Sequence, residues 1–125
     1  MRGTMKIRIK STQIFENHQE TVVEEIEDAE VSFLDGVMRI KYGENEILVN
    51  QLEHELNLNR TQNSLKVKVN EKNVLNYETT YGKIILETYG EQIEIQEIPL
   101  KVILKYQITL NGTEEYSNIV EMIEV

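Results

Sequence analysis

Apolar and polar positions alternate with a period of two along almost the whole chain. Between residues 100 and 110 the even positions Leu100, Val102, Leu104, Tyr106, Ile108 and Leu110 are apolar. Lys101, Lys105, Gln107 and Thr109 point the other way, and only Ile103 breaks the pattern. Met5, Ile7 and Ile9 likewise oppose Lys6, Arg8 and Lys10, and Leu65, Val67 and Val69 oppose Lys66 and Lys68. Successive side chains of a strand lie on opposite faces, so each run predicts a strand with one buried side. No segment carries a convincing helical face.

Turn chemistry punctuates these runs at Asp35-Gly36, Tyr42-Gly43, Gln62-Asn63, Glu71-Lys72, Tyr81-Gly82, Tyr89-Gly90 and Asn111-Gly112. Asp-Gly and Asn-Gly suit tight hairpins, whose central residues need positive φ. The spacing predicts about ten short strands joined mainly as antiparallel neighbours. Amphipathic strands without helices must stack as two sheets or curl into a barrel. Hairpin following hairpin favours an up-and-down barrel, because Greek-key sandwiches need a longer crossover.

Composition agrees with strands: 15 Ile and 11 Val stand against a single Ala, Ala29. Branched residues fit a pleated surface, whereas Ala is the best helix former. Only one Pro, Pro99, and no low-complexity stretch interrupt the 125 residues, so residues 1–125 read as one domain.

Charge adds information about pairing. Residues 1 to 15 hold Arg2, Lys6, Arg8 and Lys10 with no acid, while residues 16 to 35 hold six Glu and two Asp with no base. Opposite charges across neighbouring strands are favourable, so the first strand is expected to pair with the acidic second. Glu91, Glu94 and Glu97, followed by Lys101 and Lys105, predict the same arrangement later in the chain.

The net charge of −9 argues against nucleic-acid binding, which requires clustered Lys and Arg, and against docking on anionic lipid. Apolar runs reach only three residues, as in Ile84-Ile85-Leu86, far from a membrane helix. Residues 1 to 10 alternate where a signal peptide would be continuously apolar, so a cytoplasmic protein is expected.

The second half of the chain carries Tyr77-Glu78-Thr79-Thr80-Tyr81-Gly82, then Ile84, Leu86 and Thr88, then Leu104-Lys105-Tyr106, Leu110-Asn111-Gly112 and Asn118. With Ile7-Arg8-Ile9-Lys10-Ser11, the Asp35-Gly36 hairpin and Arg60, these residues resemble the YwiB-like family of uncharacterised bacterial proteins. The resemblance covers most of the chain and implies a calycin, or lipocalin-like, β-barrel; it brings no established activity. Gln62 stands where the family pattern has a Gly, and Val67 and Val69 where it has a Phe.

Candidate ligand-binding residues are Arg60, Tyr77, Thr79, Tyr81 and Tyr106. Arg60 continues the parity of Leu56 and Leu58, which turns its guanidinium inward or to the barrel rim. There it either closes one barrel end by hydrogen bonding or anchors an anionic head group. Tyr77, Thr79 and Tyr81 share the parity of Leu75, and Tyr106 lies on an inward face. A phenol offers an apolar ring and a polar tip, suited to core packing or a pocket wall.

Metal and catalytic chemistry find little material. On a strand, His54 would face away from Glu53 and Glu55, so the three could not converge on one ion. His18, beside Asn17, reads as a turn residue. Without Cys, and with only these two His, nucleophile–base pairs are scarce, and nothing singles out a carboxylate pair among 20 Glu. No catalytic residue, metal or cofactor is expected.

Two functions follow as expectations. The first is non-catalytic binding of a small apolar or amphipathic ligand inside the barrel. The second is a structural or protein-interaction module that uses its acidic face or an edge strand. Residues 113 to 125 motivate the second, since apolar residues occur on both faces there: Tyr116, Val120 and Met122 on one, Ile119, Ile123 and Val125 on the other.

Overall fold

The alternating runs form ten strands. They are β1 (Arg2–Ile14), β2 (Gln19–Leu34), β3 (Val37–Tyr42), β4 (Asn45–Asn50) and β5 (Glu55–Asn59). β6 (Ser64–Lys68), β7 (Lys72–Thr79), β8 (Gly82–Gln96), β9 (Lys101–Leu110) and β10 (Glu114–Glu124) complete the chain. The computed structural model describes residues 2–60 and 64–125, excepting the side chains of Arg2 and Tyr77. The expected Gln62-Asn63 turn lies outside the described residues.

All ten strands belong to one sheet in the order β6-β5-β4-β3-β2-β1-β10-β9-β8-β7. Consecutive strands pair antiparallel except β6 and β7, and the ladder between β1 and β10 turns the meander into a ring. The ring is nearly closed where β6 approaches β8. There Val69 bridges Gly90 in parallel, the Asn70 amide donates to the Gly90 carbonyl at 2.9 Å, and Thr88 Oγ1 donates to the Lys66 carbonyl at 2.6 Å. The fold is therefore the expected all-β, up-and-down barrel of ten strands.

Tyr89-Gly90 is not the turn that its sequence predicts. Gly90 lies inside the continuous strand β8, next to a register shift between Gly90 and Gln92. It fills a different need of a glycine, close approach of another backbone. A Cβ at this position would collide with the Lys68 carbonyl and stand 2.8 Å from the Val69 nitrogen. Asp35-Gly36 and Asn111-Gly112, in contrast, are turns with positive φ at both residues, as expected.

The second charge expectation is met on one face but not by direct opposition, since Glu94 lies diagonal to Lys101 and Lys105. Register places Gln92 opposite Lys105 and Gln96 opposite Lys101, while Glu94 faces Ile103. That register runs from the turn between β8 and β9, which holds Glu97 outside the strand, while Glu91 is the extra residue of the bulge beside Gly90.

The first charge expectation holds. Glu25 receives Arg8 Nη2 at 3.0 Å and Lys6 Nζ at 3.5 Å, and Lys6 also reaches Glu27 at 3.4 Å. The Arg8 hydrogen bond, followed by the Lys6 charge, holds the Glu25 carboxyl below its ordinary pKa. Across β5 and β6, the Lys66 hydrogen bond at 2.9 Å does the same for Glu55. A carboxylate with a depressed folded-state pKa stabilises the fold above the unfolded-state pKa, and that contribution is lost as pH falls through the folded value. The urea midpoint is thus expected to drop as pH is lowered through the acid range, and to drop less steeply in a Glu25→Gln, Glu55→Gln double variant. Parallel curves for the two proteins would contradict this account.

The core runs along the inward faces of the strands. Ile7, Ala29, Met38, Ile40, Val49, Val67 and Val102 are almost wholly buried there, beside Leu100 and Met122. Each such aliphatic side chain contributes on the order of 1.5–3 kcal/mol on burial. β10 is hydrogen-bonded on both edges, which partly answers its two apolar faces. Tyr116, Val120 and Met122 turn inward. Outside, Ile119 and Ile123 are half-buried opposite Lys105 and Lys101. Among the described residues, no helix is long and apolar enough to cross a membrane.

Candidate functional site: a cavity at one end of the barrel

Beside the core side chains the same strands border an open-mouthed cavity of about 280 Å³. Its apolar wall comprises Ile9, Ile47, Leu56, Leu58, Leu65, Leu104, Val120 and Met122. These are inward positions of six strands, and each continues the parity of core residues on its own strand. The polar lining follows the same parity. Ser11 and Gln13 extend the series Ile7, Ile9; Tyr42 extends Met38, Ile40; Asn118 lies between Tyr116 and Val120.

Asn118 and Tyr106 face each other across β9 and β10, and Asn118 Nδ2 donates to the Tyr106 hydroxyl at 2.8 Å. Both are buried, at 6% and 5% exposure. Asn118 Oδ1 has no partner among the described atoms. Burying an acceptor unmatched is unfavourable, and this oxygen is itself almost wholly occluded.

The mouth carries opposite charges. Glu24 of β2 and Arg60, just past β5, are both exposed and both line the cavity. Half-buried Tyr42 responds to both. Burial raises its phenol pKa most, Glu24 raises it further, and Arg60 lowers it. Arg60 therefore sits at the rim, one of the two positions its parity allows, where water relieves the cost of its charge.

The other predicted ligand residues are not all brought here. Tyr106 lines the cavity, but Thr79 and Tyr81 lie at the β7–β8 turn. Thr79 Oγ1 donates to the Gly82 carbonyl at 2.8 Å and accepts from the Tyr81 amide at 3.2 Å, and Tyr81 is 99% exposed. The physical reason is strand length: β9 ends opposite Leu86, so the hairpin tip runs past the barrel wall. The side chain of Tyr77 lies outside the described residues.

His54 also differs from its expected setting. It occupies a turn at φ 51°, not a strand, and the flanking Glu53 and Glu55 pair with Lys68 and Lys66. Among the described residues no group of three His, Cys, Asp or Glu side chains could hold a metal ion. His18 stacks on Phe15 with ring centroids 4.6 Å apart, beside Tyr116. A wider external groove of about 530 Å³ runs past Lys72, Glu87, Tyr89 and Gln107, but the buried Thr88 beside it is already committed to Lys66.

No family sequence model matches the chain, and no curated protein sequence matches it. The YwiB protein of Bacillus subtilis does match in three dimensions. Its crystal structure superposes with a TM-score of 0.71 at 12% identity, over 99% of this chain and 93% of that one. The fold is YwiB-like. At this identity the likeness concerns architecture alone.

Within the YwiB-like barrel, Tyr42, Asn118, Ser11, Gln13 and Glu24 are the lining residues that the sequence did not single out. Four of them had a signal, a polar side chain at an inward parity. Glu24 had none. Opposite Lys6, β2 spends two residues, Glu27 and Asp28, which reverses its parity and brings Glu24 level with Ile9.

Proposed function

We propose that this chain is a bacterial, cytoplasmic, calycin-type barrel that binds a small apolar or amphipathic ligand in its interior without catalysis. The observation that carries the reading is the cavity of about 280 Å³, with eight aliphatic side chains and a few convergent polar groups. Such a lining, apolar with sparse placed polarity, is the usual composition of a small-molecule site. Arg60 and Tyr106 are the residues common to this site and the sequence expectation.

A second reading, a protein-interaction module, has its own support. Over residues 19 to 28, β2 pairs only with β1, because β3 meets β2 no earlier than Glu30. That leaves an acidic backbone edge, carrying Glu20, Glu24 and Glu25, to which a basic extended segment could add as a strand.

Native mass spectrometry of freshly isolated protein separates the two. The ligand reading expects a small non-covalent adduct that is lost on denaturation. A chain that carries no adduct and takes up no added short-chain alcohol or fatty acid would overturn it. A stoichiometric polypeptide adduct in place of a small one would favour the second reading.

A further inference from the structure

The free edge of β2 and the mouth of the cavity adjoin. Over residues 19–28, β2 has β1 on one side and, among the described residues, no strand and no backbone hydrogen bond on the other. Every side chain of this segment except Ile26 is exposed. Val22 and Val23, on opposite faces, keep 67% and 54% of their surface in water. An unpaired edge flanked by apolar side chains is a template for a further strand.

The short β3 explains the gap. It leaves β2 once Lys41 has met Glu30, and it ends one residue later at Tyr42. Past that level the wall beside β2 is missing, and Glu24, level with inward-facing Ile9, lines the cavity from there. Neighbouring strands of one sheet share their faces, so a strand laid against residues 19–28 would direct alternate side chains inward beside Val22 and Glu24.

Charge names the occupant. Residues 16 to 35 hold six Glu and two Asp with no base, and among the described residues Lys6 and Arg8 meet only Glu25 and Glu27 of these. Two copies joined through β2 would set acid against acid, which opposes a second copy as the partner. A Lys or Arg at the partner's outward positions would instead flank Glu25 and Glu27 on their open side. Inside, Arg60 at the rim disfavours a basic side chain, and the lining offers eight aliphatic residues beside Ser11, Gln13, Tyr42 and Tyr106. The inward position suits an apolar residue.

From this placement we infer that an extended polypeptide of alternating basic and apolar residues adds to the free edge of β2 and seats one apolar side chain in the cavity. The inference rests on the second reading above, the interaction module, and adds where the partner sits and what side chains it carries. A small molecule in the cavity and that side chain exclude each other.

Short acetylated and amidated peptides test it on the intact chain: alternating lysine and leucine, alternating glutamate and leucine, and alternating lysine and serine. Affinity is read by fluorescence anisotropy, and the seat by amide exchange over residues 19–28 and by the methyl resonances of Leu56 and Val120. The lysine–leucine peptide is expected to bind at least about tenfold more tightly than either comparator, since each of those loses several cross-strand pairs. It should slow exchange along the free edge, shift both sets of methyls, and bind more weakly in the presence of an added short-chain alcohol. Val23→Lys, at an exposed position, should weaken it at least about threefold by like-charge repulsion. Equal affinity of the glutamate–leucine peptide, or protection confined to another edge, would overturn the inference. A dimer of the free protein joined through β2 would overturn it in favour of a second copy. Protection of residues 19–28 without methyl shifts would overturn the seat in the cavity and leave the interaction reading standing. Binding of none of the three would remove that reading together with the inference, while the small-molecule reading keeps its own test.

Discussion

Gly90→Ala is expected to lower the stability of the barrel by about 1–3 kcal/mol, the range of overpacking substitutions, and to loosen its seam. The added methyl would meet the Lys68 carbonyl and the Val69 nitrogen, both backbone atoms. A side chain in the way could rotate aside; backbone atoms must be displaced together with whatever they hold. What they hold is the closing contact of the ring, the Val69–Gly90 bridge and the Asn70 amide hydrogen bond to Gly90. The urea midpoint should therefore fall, and the Asn70 amide proton should exchange faster than amides of the β1–β10 ladder. Gly3→Ala is the control, since nothing lies within 4 Å of a Cβ at that position. Its effect should stay within about 0.5 kcal/mol. A Gly90→Ala protein as stable as the wild type would show that β6 and β8 do not approach as described.

Val120→Phe should act in the opposite sense. Val120 lines the cavity between Asn118 and Met122 on β10 and is half-buried. Enlarging a side chain in a close-packed core is unfavourable, but here the phenyl ring has an existing space of about 280 Å³ to enter. Stability is expected to hold or rise while affinity for an added short-chain alcohol falls by at least about tenfold, because ligand and ring compete for one volume. A calorimetric titration beside a urea melt reads both quantities. Undiminished binding in a folded Val120→Phe protein would place the ligand elsewhere, with the external groove near Lys72 and Glu87 as the next site to probe.

The fold was legible because strand periodicity is a local property. Leu100 to Leu110 and Met5 to Ile9 show their buried faces through alternation alone, and the basic first strand met its acidic neighbour as opposite charges require. Bulges defeated the reading where they occur. The two-for-one match of Glu27 and Asp28 against Lys6 brings Glu24 inward, and in β8 Glu91 is taken up by the bulge instead of facing a lysine. Their mark on hydrophobic periodicity is a change of parity in the inward series, from Ile26 to Ala29 and Val31 and from Leu86 to Ile93 and Ile95, each spread over intervening polar residues.

The candidate site was legible by halves for a related reason. Parity found Tyr106 and placed Arg60 inward or at the rim, but it cannot tell where along a strand the barrel ends. Thr79 and Tyr81 keep their strand's alternation yet lie on a hairpin that has outrun β9. Asn118 showed the complementary weakness. As a polar residue on an inward face it was open to notice, but its unmatched oxygen depends on which neighbour takes its amide nitrogen, a fact of register between β9 and β10.

The pairing of β1 with β10 also bears on how the molecule assembles. Ile7 lies opposite Glu124, so the ladder that completes the ring joins opposite ends of the chain. The hairpins from β2 to β6 need only local contacts, whereas this ladder waits on the most distant one, with the largest loop-closure entropy. During synthesis those hairpins can form while the inward faces of β1 and β2 still lack their cover. The ring cannot shut until β10 has emerged, so the nascent chain passes through a state whose apolar lining is open to water and to other chains.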